Sequence, residues 1–403
     1  MSRLSTVSPF MSSDPIRVIR KPKLSYAFVS LVLWTFFMAS SAPSPLYQLY
    51  QHEWGFTSIT LTAIFSIYAV GMLSALLVIG SLSDYLGRRP VMAVAMVLEA
   101  VSMAMFIHAG DVTDLLLARF IQGAATGMAA TVLGAFLMDI DTKSAPISNS
   151  VVPLVGTGCG VMISSLIVDL GASPLKLIFA ILLAGLVLQL VIVWFLDEPV
   201  TRRVGGLKSL RPSLGVPTSA RTMFLAIMPM NTAVWSLNGF FLSLAPSLVR
   251  VATASNHALT GGTVVGLMSI CGALSVLLLR HRPAEFSLRL GSKLLAVGVL
   301  GVLFGVYSGL TLAFYLATII AGFGAGASFI SFTRSLLPLA LPTERASLIS
   351  SYYVVSQMSL IVPSIAVGGL IQLIGLSEAT YYYGAVVLLL LSASSWLMAR
   401  RSS

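Results

Sequence analysis

The sequence predicts an all-α membrane protein of twelve transmembrane helices in two pseudo-symmetric six-helix bundles. Three observations predict it: an apolar composition, twelve apolar runs of spanning length, and a one-sided distribution of Lys and Arg. Of the 403 residues, 57% are hydrophobic and 9% charged, with a mean hydropathy of +0.94. A soluble domain carries about 25% charged residues, so this chain lacks the material for a water-facing surface. Transmembrane β-strands would show short alternating segments instead.

The apolar runs fall at 24–46, 58–80, 90–108, 115–138, 149–169, 176–196, 223–246, 259–279, 290–308, 310–333, 347–372 and 379–399. Each is close to the roughly 20 residues that a helix needs to cross about 30 Å of hydrocarbon. An even number of spans puts both chain ends on one side. With those ends cytoplasmic, the inner segments hold all 24 Lys and Arg except Lys176 and Arg250, which lie outside, and Arg119, which lies within a span. Basic residues in short loops mark the cytoplasmic side, so cytoplasmic termini are expected.

The net charge of +10 therefore reads as topology. A nucleic-acid partner would need a basic groove or face, and none is expected. Cys159 and Cys271 lie inside apolar runs and read as small buried side chains, neither a disulfide nor a metal site. His52, His108, His257 and His281 lie at span ends, far apart in sequence. No cofactor, metal cluster or catalytic triad is expected, and no P-loop is present. Minimal loops and the lack of an N-x-S/T sequon point to a bacterial inner membrane.

The chain divides into a tail at 1–23, a six-span bundle at 24–196, a linker at 197–222, a second bundle at 223–399 and a tail at 400–403. The linker carries Gly205, Gly206, Pro212 and Pro217 among basic residues, the composition of a solvated segment. The halves echo each other weakly. Gly123-x-x-x-Gly127 matches Gly322-x-x-x-Gly326, and Arg89-Pro90 matches Arg282-Pro283.

Five groups of residues carry chemistry. Between the second and third runs lie Gly80, Leu82, Asp84, Gly87, Arg88 and Arg89. Gly87 suits a tight turn, and Asp84 suits a helix N-terminus, whose dipole stabilises a carboxylate. Arg119 lies inside the fourth run, where a charge costs roughly 2.5–3.5 kcal/mol on insertion scales. It either snorkels outward or faces the protein beside Gln122, one turn on. Glu99 is a carboxylate buried within a span; it is either a proton carrier or a structural acid, and a pair with Arg119 is conceivable. The fifth run carries Gly156-x-x-x-Gly160-Val161-x-x-Ser164-Ser165, small residues that allow close helix packing. Polar side chains for a cavity are Ser41 and Tyr47 in the first run, Asn231, Trp235 and Asn238 in the seventh, and Tyr353 and Gln357 in the eleventh. Asn231, Trp235 and Asn238 share one helix stripe.

The G-x-L-x-D-x-x-G-R-R pattern of the 80–89 loop resembles the signature of the major facilitator superfamily. Arg119, Gln122 and Gly123 resemble its fourth-span motif, which is tied to proton coupling. The fifth-run pattern is similar to its antiporter motif, with Val161 in place of Pro and Ser164 and Ser165 in place of Gly. The resemblance is to the drug:proton antiporter-like branch. It implies two bundles rocking about a midplane site, with Gly80, Asp84, Gly87, Arg88, Arg89 and Asp139 latching the cytoplasmic side. In that latch Asp84 meets the helix starting near Ala346, and Arg88 pairs with Asp139. It implies a monomeric secondary transporter in the lipid bilayer, not an enzyme. The expected partners are a small-molecule substrate and protons, and the expected activity is export of small, largely apolar compounds. Uptake of a metabolite or sugar with protons, and a non-transporting sensor, are the alternatives.

Overall fold

The computed structural model describes residues 19–79, 82–171, 173–200, 214–253, 257–341 and 344–402. Twelve helical spans are long and apolar enough to cross a membrane. They are α1 Pro22–Trp54, α2 Ser58–Ile79, α3 Arg88–His108, α4 Val112–Ile140, α5 Ala145–Leu170 and α6 Leu177–Phe195, followed by α7 Thr218–Leu244, α8 Ala258–Leu279, α9 Ala284–Ser308, α10 Thr311–Leu339, α11 Ser347–Ile374 and α12 Leu376–Arg400. The expected runs reappear with shifted ends. The largest shift is at α1, which runs on to Trp54, while α7 starts at Thr218 directly after Pro217 and takes in the last residues of the expected linker. Proline suits a helix start because its missing N–H is not needed there.

Helices α1 to α6 pack mainly on one another, as do α7 to α12. Two seams join the sets: α5 on α8, and α2 on α11. The outermost spans expose large apolar side chains, among them Leu188 and Phe195 on α6 and Leu389 on α12. Water would penalise such faces, whereas lipid tails suit them. With twelve spans the start of α1 and the end of α12 lie on one side, here called the terminal face; the opposite side is the far face.

The glycine pairs explain the internal echo. A Cβ on Gly123 would lie 1.9 Å from the Tyr68 carbonyl oxygen, so α4 and α2 touch backbone to backbone. In the second set a Cβ on Gly326 would lie 2.2 Å from the Gly272 carbonyl oxygen of α8. The same small-residue spacing thus packs the fourth span on the second in each set, as expected where dispersion drives helix association.

Helix α1 is broken. It runs as α-helix to Ser41, passes through a 3-10 turn at Ser44–Leu46, and resumes at Tyr47–Trp54. Pro43 and Pro45 have no N–H to give to the preceding turn. The Leu46 and Tyr47 N–H groups both turn to the Pro43 carbonyl, at 3.0 and 3.2 Å.

Gly123→Leu should lower the thermal unfolding midpoint in detergent, because overpacking costs about 1–3 kcal/mol. Gly185→Ala, on α6 with open space around its Cβ, should hold or raise it, since Ala is the better helix former by about 1 kcal/mol. Equal midpoints for the two variants would contradict the close α4–α2 contact.

Candidate functional site

A cavity of about 490 Å³ lies between the two sets. Its walls include Phe37 and Ser41 of α1, Phe65, Tyr68 and Met72 of α2, Arg119 of α4, Asn149 and Thr157 of α5, Trp235 and Asn238 of α7, Met268 of α8, Phe329 of α10, and Tyr353 and Gln357 of α11. It reaches Asn149 and Ser150, near the terminal end of α5. At the far face the sets are tied together. Ser44 donates to the Leu242 carbonyl, and Gln48 Nε2 donates to Ser247 Oγ at 2.9 Å. The cavity therefore extends toward the terminal face, and these ties close the sets together at the far face.

Arg119 is 1% exposed and faces the protein. Its Nη1 donates to the Ser40 carbonyl at 2.8 Å and to Gln122 Oε1 at 2.5 Å. Gln122 Nε2 donates to the Ala39 carbonyl at 3.0 Å and to Glu99 Oε1 at 3.2 Å. Glu99 and Arg119 are thus linked through Gln122, with no direct ion pair among the described residues. The guanidinium also lies 4.5 Å from the Tyr68 ring centre, 5.9 Å from Phe65 and 6.0 Å from Tyr47. Desolvated cation–π contacts contribute up to about 2 kcal/mol or more, which offsets part of the burial.

The free carbonyls follow from the α1 break. In an unbroken helix the Ala39 carbonyl would accept from residue 43, which is proline. Gln122 supplies the missing donor. The Ala42 carbonyl, left over by the 3-10 turn, accepts from Ser164 Oγ at 2.7 Å. Ser41 Oγ donates to the Thr157 carbonyl at 2.9 Å.

The fifth-span residues pack on both sides. A Cβ on Gly160 would lie 2.2 Å from the Met38 carbonyl oxygen, and one on Gly156 would lie 2.7 Å from that of Trp34. Both close on α1. Ser165 turns the other way, where a Cβ on Gly262 of α8 would meet its Oγ at 2.1 Å.

At the terminal face Arg88 gathers the loop. Its Nε donates to Asp139 at 2.9 Å, and its Nη1 donates to Asp84 at 2.5 Å and to Ser83 Oγ at 2.6 Å. Among the described residues the partner of Asp84 is Arg88 rather than the N-terminus of α11, and its side chain is 56% exposed. Gly87 has a φ of 98°, a region open to glycine. Arg89 donates to the Trp194 carbonyl at 2.5 Å. Gly80 lies outside the described residues.

Two expected cavity residues lie elsewhere. Asn231 Nδ2 donates to Ser356 Oγ at 3.0 Å, joining α7 to α11. Tyr47 is buried beyond the α1 break, against Arg119. Helix periodicity gives a face, but not which neighbour covers it at each depth. Glu198 was missed: its carboxylate accepts the Arg88 and Arg89 N–H groups at 2.8 Å each, capping α3. The signal was an acid directly after α6, beside a Gly87 that leaves room for it.

Residues 29–362 match the family described as Major Facilitator Superfamily. The chain is similar to the multidrug resistance protein MdtL of Citrobacter koseri, 28% identical over 310 residues, covering 73% of this chain and 75% of the relative. It is 26% identical over 330 residues to MdtL of Klebsiella pneumoniae, covering 66% and 81%. The crystal structure of the nucleoside transporter NupG aligns with a TM-score of 0.72, covering 93% of this chain and 99% of that one, at 14% identity.

Arg88→Ala should lower the unfolding midpoint by the equivalent of about 1–3 kcal/mol. That is less than for a fully buried pair, because Asp84 is half exposed. Adding Asp139→Asn should recover part of the loss, since the pair then fails to add. Strictly additive effects would show that Arg88 and Asp139 do not interact.

Proposed function

The chain belongs to the major facilitator superfamily, and we propose that it exports small, largely apolar compounds by proton-coupled alternating access. It is a multi-pass membrane transporter, not an enzyme. In this reading it acts as a monomer in a bacterial inner membrane, and the terminal face is the cytoplasmic one. The cavity then opens to the cytoplasm, the side from which an exporter loads.

The observation that carries the reading is the wall of the cavity. Apolar side chains line much of it, with six aromatic rings and Met72 and Met268 among them, hydroxyl and amide groups punctuate it, and Arg119 is its one charged lining residue among the described residues. Such walls bind by burying apolar surface, with a few polar groups setting orientation. Ser41, Trp235, Asn238, Tyr353 and Gln357 are the substrate contacts of this proposal. The multidrug resistance relatives support the same class of cargo.

Proton coupling is assigned to Glu99, Gln122 and Arg119. Glu99 exchanges the proton. Gln122 Nε2 is shared between Glu99 and the Ala39 carbonyl, so neutralising Glu99 leaves Gln122 held more by α1. The charge change is passed to the broken segment of α1. The loop from Gly80 to Arg89, with Asp139, acts as the latch that tightens when the cytoplasmic side closes.

Cells expressing the wild type should survive higher doses across a panel of toxic apolar compounds than cells lacking it, and Arg119→Ala should remove that protection. Equal protection by an Arg119→Ala protein present in the membrane would reduce Arg119 to an anchor. No protection by the wild type would overturn export. Pro43→Ala returns an N–H to the Ala39 carbonyl in competition with Gln122. It should keep the unfolding free energy within about 1 kcal/mol while proton-driven transport into inverted vesicles falls. Unchanged transport would remove the α1 break from the coupling route.

A further inference from the structure

Asp169 lies near the far end of α5, yet its carboxylate serves the other set of helices. One oxygen accepts the Ala258 N–H at 2.8 Å and the other accepts the Leu259 N–H at 2.9 Å. These residues open α8. The residue that precedes them, His257, makes no side-chain cap of its own, and its Nδ1 lies 4.0 Å from the carboxylate. The Asp169 side chain is 20% exposed, and both hydrogen bonds lie at the exposed rim of the far face.

The first N–H groups of a helix have no partner within it, and its dipole favours a negative charge there. Here the cap comes from across the seam between the two sets. The cavity is shut at this end. Opening it to the far face must part α5 from α8, and the carboxylate must then leave those N–H groups to water. The contact therefore exists in one of the two states only, which is the condition for shifting their balance.

We propose that Asp169 is the gate residue of the far face: its carboxylate, seated on the N-terminus of α8, holds the transporter closed on that side. The proposal rests on alternating access but on no substrate. Losing a cap of this kind should shift the balance about five- to tenfold toward the far-open state.

The test is distance measurement by electron spin resonance in full-length protein in lipid nanodiscs, with Cys159 and Cys271 replaced by Ser. One label pair, at Lys176→Cys and Thr311→Cys, spans the far face. A second pair, at Lys143→Cys and His281→Cys, spans the terminal face. Asp169→Ala should raise the long-distance population of the first pair and the short-distance population of the second together. Asp169→Asn, which keeps one acceptor and the size, should shift both less and serves if the Ala variant does not fold. Unchanged distances in a folded variant would overturn the proposal. So would a broadened first pair with an unchanged second, which is fraying of α8 rather than gating. Substrate enters neither arm, so an incorrect cargo class leaves the result readable.

Discussion

Pro43 and Pro45 carry no N–H, and the centre of the molecule is organised around the carbonyls they leave over. In hydrocarbon an unpaired carbonyl costs several kcal/mol, so a break in a spanning helix persists only where other groups reach it. Two elements do so here, and a third joins them. Gln122 and Arg119 of α4 take Ala39 and Ser40, and Ser164 of α5 takes Ala42. Glu99 of α3 joins through Gln122. Residues drawn from three neighbouring helices thus converge on one turn of α1. A shift of that turn is felt by all of them at once.

The packing around this centre separates what holds firm from what must slide. Within each set, glycines bring the fourth span onto the second, with backbone in contact at Gly123 and at Gly326. Such contacts have no slack, because no side chain stands between the helices to rearrange. The seams are built differently. Side chains such as Ser165 and Met162 sit between α5 and α8, beside Gly158 and Gly266, and polar ties between the sets gather at the far face.

Residues whose chemistry clashes with a membrane span were legible in the sequence. Arg119, Gln122 and Glu99 stand out against apolar runs, and the structure places all three in one buried network. The positions of the spans followed from run length alone. Residues that act on backbone were not legible. Asp169 and Glu198 sit at span ends, where an acid looks like any loop residue, and their partners are N–H groups that every residue but proline carries. Tyr68 reads as one more aromatic in α2, though its ring is the nearest of the three around Arg119. The stripe of Asn231, Trp235 and Asn238 was correct as a stripe but divided by depth: α11 covers its terminal end, and the cavity begins one turn later.

In the proposed mechanism the electrostatics of the site constrain coupling. A cation about 6 Å from Arg119, at an effective dielectric of about 20, would be disfavoured by about 3 kcal/mol. An ionised Glu99 offsets part of that, and a proton on Glu99 removes the offset. The cavity is thus most positive when the proton is bound, and a cationic cargo would compete with the proton through charge. A neutral apolar cargo does not. For such a compound, competition between charges cannot exclude the proton, so the exchange must run through shape. Among the described residues Glu99 reaches the cavity wall through Gln122 in two ways: directly to Arg119, and by the Ala39 carbonyl to α1, whose Ser41 and Phe37 line the wall. In the proposed mechanism a largely apolar cargo makes the break in α1 a working part of coupling rather than an irregularity beside it.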